Sequence, residues 1–224
     1  MLVKTEGIVL NKIDYTDSGI IVKIYTKNFG LLSFLVRGIH RKKSAQKASL
    51  FMPLSILEIV FYNKENQEIK IPKEIRLAYP FHSIQINLIK ASMAVFIAEI
   101  LLKSIRETFP DNRKYDFIKS SILHFDLQEE GFSNFHLSFL IKLSNYLGIS
   151  ITQKYAEENV CDTRFIQINP ILALLNQNYL ALSQINISNN QRRELLQFII
   201  NYYQQHIENF GELKSLEVLK QVFE

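Results

Sequence analysis

GIIVKIYTKNFGLLSFLVRG, residues 19–38, reads as two strands joined by a tight turn. Ile20, Val22 and Ile24 alternate with Lys23, Tyr25 and Lys27, the period of two expected of a strand with one buried face. Asn28-Phe29-Gly30 makes a three-residue connection in which Gly30 can supply the left-handed backbone of a bulged hairpin. Outward from this hairpin, period-two patterns or short apolar runs recur near 2–12, 50–62 and 68–78, with the hairpin strands themselves near 18–27 and 31–38. Five short strands in about 80 residues make a small all-β unit.

Such a unit suits a five-stranded Greek-key barrel of the oligonucleotide-binding type, with a small SH3-like barrel as the structural alternative. From Phe81 onward the period becomes helical, and Tyr79-Pro80 marks the change because a residue before proline disfavours helix. Helices are expected near 86–108, 113–128, from Ser133 to Gly148, from a capping box at Ser188-Asn-Asn-Gln191 to about 208, and over LKSLEVLKQVF. In the first, Leu88, Ile89, Phe96, Ile97, Ile100, Leu101 and Ile105 cover more than one face, which marks a central, largely buried helix. The weak pattern over 150–187 gives no clear element. The expectation is an α+β chain, a barrel over 1–80 followed by an all-α domain over 81–224.

A chain of 224 residues that is 47% hydrophobic can bury ordinary cores, so it is not a disordered chain. Met93 to Leu102, its longest strongly apolar stretch, is interrupted by Glu99 and is too short to cross a bilayer. The N-terminus MLVKTEGIVL lacks the parts of a secretory signal, and the lone Cys161 fits a reducing compartment; a cytoplasmic protein without membrane contact is expected. Catalytic patterns are missing: no GxxxxGK[ST], GxGxxG or GxSxG occurs. His40, His82, His124, His136 and His206 are scattered, and the acidic neighbours Glu129-Glu130 and Glu157-Glu158 do not converge on one reacting atom. No enzyme, catalytic residue, metal or cofactor is expected.

Charge is unevenly spread. Residues 1–80 hold 13 Lys/Arg against 7 Asp/Glu, and residues 81–224 hold 13 against 15. The barrel carries the basic character, an asymmetry that fits a nucleic-acid-facing module and, taken alone, equally a soluble basic domain with no such partner. Positive charge is densest in RGIHRKKSAQK, residues 37–47, which has five cations and no acid. Lys23, Tyr25, Lys27 and Arg37 can form a cationic platform with one ring, continued by Arg41, Lys42, Lys43 and Lys47. Single-stranded nucleic acid needs this pairing of cations for phosphates with a ring for bases. Five phosphate contacts would give a salt slope of about −3.5 on single strands. The plainer reading is that Tyr25 packs beneath a neighbouring loop and the lysines only solubilise the strand.

EGIVLNKIDYTDSGIIVKIYTKNFGLLSFLVRGIHRKKS near the start and HIENFGELKSLEVLKQVF at the end resemble the RecO family of bacterial recombination mediators. The resemblance is carried by Gly7 to Leu10, Asp17-Ser18, Thr26, Gly30-Leu-Leu-Ser33, Gly38 and His40-Arg41-Lys42-Lys43-Ser44. It implies an N-terminal oligonucleotide-binding barrel, a helical C-terminal domain, binding of single- and double-stranded DNA, and annealing of complementary strands without nucleotide hydrolysis. It also implies binding to RecR and to the acidic C-terminal tail of the single-stranded-DNA-binding protein, and through them the loading of RecA. By motif position Arg37, Arg41, Lys42 and Lys43 become DNA contacts, with His40 where a basic residue is common. Many relatives place a four-cysteine zinc module after a middle helix, whereas only Cys161 follows Leu147-Gly148 here, so zinc is not carried over. For the tail-binding site Arg106, Arg113, Lys142, Arg192 and Arg193 are all possible cations, Arg192 and Arg193 at a helix start being partner-binding candidates. Two other functions stay open: a protein adaptor whose basic barrel binds nucleic acid weakly, and an RNA-binding barrel protein.

Overall fold

The structure is a computed structural model that describes residues 1–17, 19–38, 48–64, 67–160, 173–175 and 185–222. Its compact units are Met1–Ser120 and Ser121–Glu224. The first unit opens with six strands: β1 (Leu2–Thr16), β2 (Gly19–Thr26), β3 (Gly30–Arg37), β4 (Ile56–Tyr62), β5 (Ile69–Lys70) and β6 (Pro72–Tyr79). They form one sheet in the order β5-β3-β2-β1-β4-β6. The β2–β3 hairpin pairs Thr26 with Gly30 and Gly19 with Arg37, and Gly30 takes the expected left-handed backbone at φ 67°. Ile20, Val22, Ile24, Phe34 and Val36 point inward and pack with Val9, Phe51, Leu57, Ile59 and Phe61 in one apolar core. The alternation of the sequence therefore does set the buried face.

Three strand boundaries differ from the sequence expectation. The fifth strand, expected at 68–78, breaks at Ile71. β5 pairs parallel with β3, whereas β6 pairs antiparallel with β4. One short run of chain thus serves both edges and curls the sheet into an oligonucleotide-binding-like half-barrel, so it must bend between them. Pro72, which has no N–H for the ladder, begins the second part. The fourth strand starts at Ile56 rather than near 50, because 49–51 form a 3-10 turn and the chain then reverses through Pro53 and Leu54, the latter at φ 65°. There Leu54 N donates to Val9 O at 2.8 Å and Val9 N to Ser55 O at 3.0 Å. β1 also runs on to Thr16, with irregularities between Val9 and Asn11 and between Asp14 and Thr16.

Helix α1 (Leu88–Ser104) starts where the Asn87 side chain accepts from Ile89 N and Lys90 N. Met93, Phe96, Ile97, Ile100 and Leu101 are buried, but Leu88 in the first turn is exposed. The helix ends at Ser104 rather than near 108; Ile105 is already extended, and the chain turns to meet the β2–β3 hairpin, where Leu31 N donates to Glu107 O at 3.1 Å. The division between the units falls within α2 (Asn112–Leu127). Among the described residues no helix is long and apolar enough to cross a membrane.

The second unit contains α3 (Phe135–Tyr146), α4 (Gln153–Val160), α5 (Asn189–His206) and α6 (Ser215–Val222). Phe125 stacks on Phe135 with centroids 4.3 Å apart, and Tyr203 donates to Leu140 O at 2.7 Å. The capping box at Ser188 and Gln191 is formed in both directions. Gly148, at φ 75°, turns the chain after α3. α4 occupies part of the stretch that had no clear sequence pattern.

Candidate nucleic-acid interface

Lys23, Tyr25 and Lys27 lie on the outer barrel face, as alternation requires, but they do not make one open platform. Lys23 is exposed. Tyr25 is 1% exposed, its ring 5.8 Å from that of Tyr115 and its hydroxyl donating to Asp111 O at 3.4 Å. Burial, with Asp111 and Glu107 close by, pushes its hydroxyl pKa well up. The stacking role expected of Tyr25 is corrected on physical grounds: the start of α2 and the segment before it cover this end of the face. Lys27 sits 6.0 Å over the Tyr115 ring and donates to Asp116 at 2.9 Å, and that hydrogen bond raises its pKa. His40, Arg41, Lys42, Lys43 and Lys47 lie outside the described residues.

At the other end the outer face carries several exposed side chains among the described residues, although Ile21 within it is buried. Three cross-strand rows build it, because partners in antiparallel strands share a face. Asn11, Lys23 and Ser33 form one row, Ile13, Ile21 and Leu35 the next, and Gly19 pairs with Arg37 in the last. Lys23 and Arg37 are exposed cations about 13 Å apart along the strand direction, from four residues at about 3.3 Å each. Ile13 and Tyr15 on β1 are 51% and 57% exposed. Neither stood out in the sequence as a site residue, although Asn11, Ile13 and Tyr15 share the alternation that marks one face of a strand.

Beside the covered end lies an open groove of about 640 Å³, lined in part by Lys4, Glu6, Lys27, Glu58 and Arg76. Its charges compensate one another. Arg76 and Lys4 both pair with Glu58 and hold its carboxyl down at about 2. Glu6 meets Lys119 at 2.8 Å and accepts from the Tyr115 hydroxyl at 3.1 Å.

In the second unit Arg192 is buried. Its guanidinium donates to Asn134 Oδ1 at 3.1 Å, Asn189 Oδ1 at 2.6 Å and Ile187 O at 3.2 Å. Asn134 in turn donates to Ile185 O at 3.1 Å. A guanidinium used this way ties the start of α5 to that of α3 and is not presented to a partner, which corrects its candidacy as a docking residue. Arg193 is exposed, as are Arg106 and Arg113 in the first unit, and burial lowers the pKa of Lys142. Among the described residues no group of three or more His, Cys, Asp or Glu side chains could hold a metal ion, and Cys161 lies outside them.

Comparison with known proteins adds to this geometry. The family model described as "Recombination protein O N terminal" matches residues 1–81, and "Recombination protein O C terminal" matches residues 86–155. The DNA repair protein RecO of Phocaeicola vulgatus is 34% identical over 240 residues, all of both chains being covered. Those of Flavobacterium psychrophilum and Bacteroides fragilis are 36% and 33% identical over 239 and 242 residues, again with full coverage of both chains.

Proposed function

Because the chain belongs to the RecO family of DNA repair and recombination proteins, we propose that it binds single- and double-stranded DNA on the outer face of its barrel and anneals complementary strands. The observation that carries this reading is the pair of exposed cations, Lys23 and Arg37, on the end of that face away from Tyr25. From Arg37 the sequence continues directly into Arg41, Lys42, Lys43 and Lys47. Cations there neutralise phosphates and release condensed counterions, so two backbones can approach with less repulsion. No bond is made or broken, and the activity is non-enzymatic.

The helical part docks protein partners in this reading: RecR, and the acidic C-terminal tail of the single-stranded-DNA-binding protein, through which RecA is loaded on coated DNA in the cytoplasm and at the nucleoid. Zinc has no part in it. Fluorescence anisotropy of a labelled single strand, titrated at several salt concentrations, tests the DNA step on the intact chain and on an Arg37/Arg41/Lys42/Lys43→Ala variant. The expected result is a steep salt dependence that flattens by about 0.7 per phosphate contact removed. Equal binding by the two proteins would move the site elsewhere, and the absence of binding by either would favour the adaptor function.

A further inference from the structure

The same end of the outer face carries, besides its cations, a large ring and an aliphatic side chain turned to solvent. β1 and β2 keep ordinary pairing from Asn11↔Lys23 to Asp14↔Ile20, and then Thr16 pairs with Gly19. One residue of β1 is therefore extra, and Tyr15 and Thr16 together stand opposite Gly19. Both residues of such a bulge face the same side as their partner. A Cβ placed on Gly19 would lie 2.8 Å from Thr16 Oγ1 and 3.7 Å from Leu35 Cδ1, which puts Thr16, Gly19 and Leu35 on one side. Gly19 pairs with Arg37, so Tyr15 stands two strands from Arg37, a backbone separation of about 10 Å at roughly 4.8 Å per strand. Ile13, one row along and 51% exposed, continues the apolar surface toward Lys23. Asp14 pairs with Ile20, whose side chain points into the core, so its carboxylate leaves from the opposite side of β1.

We propose that Tyr15, backed by Ile13 and flanked by Lys23 and Arg37, is a base-stacking element that makes the barrel face selective for unpaired DNA. The proposal rests on the reading that this face binds DNA and goes beyond it by assigning the side chain that distinguishes single strands from duplex. A ring of this size buried elsewhere on the barrel, as Tyr25 is, can offer no face to a base; Tyr15 can. In a duplex the bases are stacked on one another and only phosphates meet the protein, so the ring adds nothing there. Annealing then removes the stacking partner, and the product is held by its phosphates alone. The same residue that grips the substrate thereby loosens the grip on the product, which gives strand annealing its turnover.

The chain contains no tryptophan, so Tyr15→Trp places a single indole at the proposed contact. Its emission is followed during titration with a 20-nucleotide oligo-dT at low salt, alongside anisotropy of the same oligonucleotide carrying a dye. Stacking should quench the indole as the anisotropy rises, and adding oligo-dA should restore the emission while duplex stays bound. Separately, Tyr15→Ala should weaken single-strand binding by about five- to 150-fold, the range that base–aromatic stacking covers, with duplex affinity changed less than about twofold. Tyr15→Phe, which keeps the ring, should bind single strands like the parent chain, and circular dichroism of all three variants shows whether the fold is kept. Anisotropy that rises without quenching, or equal losses on single strands and duplex in Tyr15→Ala, would overturn the stacking role while leaving DNA binding intact. No anisotropy change with any DNA would remove the underlying reading and the stacking role together.

Discussion

Replacing Gly30 by alanine tests the packing that covers one end of the barrel face. Gly30 has φ 67°, and a Cβ there would lie 2.7 Å from the carbonyl oxygens of both Glu107 and Phe109 and 2.9 Å from Phe109 N. These are backbone atoms, so no side chain can swing aside. Two costs follow. The left-handed backbone costs an alanine about 1–2 kcal/mol. Moving the 107–109 segment away also breaks the hydrogen bond from Leu31 N to Glu107 O, at about 0.5–1.5 kcal/mol. Gly38 supplies the internal control, since it has φ 77° with no atom of the described residues within 4 Å of an added Cβ and bears only the first cost. Gly30→Ala should therefore destabilise by about 1.5–3.5 kcal/mol and Gly38→Ala by about 1–2 kcal/mol. Urea unfolding followed by far-ultraviolet circular dichroism compares them from their midpoints at a common slope. Equal losses in the two variants would refute the claim that the hairpin turn is seated against the chain that follows α1.

Lys23→Ala should lower the magnitude of the single-strand salt slope by about 0.7, whereas Lys27→Ala, whose cation is held by Asp116, should change it by less than half as much; anisotropy against salt decides this. Arg192→Leu leaves Asn134, Asn189 and the Ile187 carbonyl without their buried donor and should cost about 2–4 kcal/mol in urea unfolding, against less than about 1 kcal/mol for Arg193→Leu on the exposed side of the same helix. Burial, with Arg192 nearby, lowers the His136 pKa from 6.5 to about 3. Between those values the unfolded chain takes up a proton that the native chain refuses, so stability is retained above pH 6.5 and falls as the pH drops, by up to about 1.4 kcal/mol per unit from this group. The gap in stability between the parent chain and His136→Gln should therefore narrow between pH 7 and pH 5.5; a constant gap would contradict the neutral buried imidazole.

Local rules carried much of the fold into the sequence. The β2–β3 hairpin, the left-handed Gly30, the Ser188–Gln191 capping box and the turn at Gly148 each depend on residues within a few positions of one another, and each forms as those residues require. The break at Ile71 does not, because it arises from one strand having to satisfy β3 on one side and β4 on the other. The candidate site shows the same division. Period two correctly put Lys23 and Tyr25 on the outer face, but whether a ring on that face meets solvent is decided by chain some 85 residues away, from Glu107 to Tyr115. Tyr15 shares the alternation of Asn11 and Ile13, but the bulge opposite Gly19, which decides what the ring stands beside, is not written in hydrophobic alternation. Arg192 and Arg193 look alike in sequence, yet one helical step of about 100° separates a buried capping network from an exposed surface.

Photocrosslinking tests most directly whether the outer barrel face holds DNA. A single strand carrying 4-thiothymidine is irradiated with the full-length chain, and the adducts are mapped by peptide mass spectrometry. Adducts concentrated in residues 11–23 and 33–43, and lost when an unlabelled single strand competes, are the predicted result. Adducts confined to residues 121–222 would contradict it and place the DNA site on the helical unit.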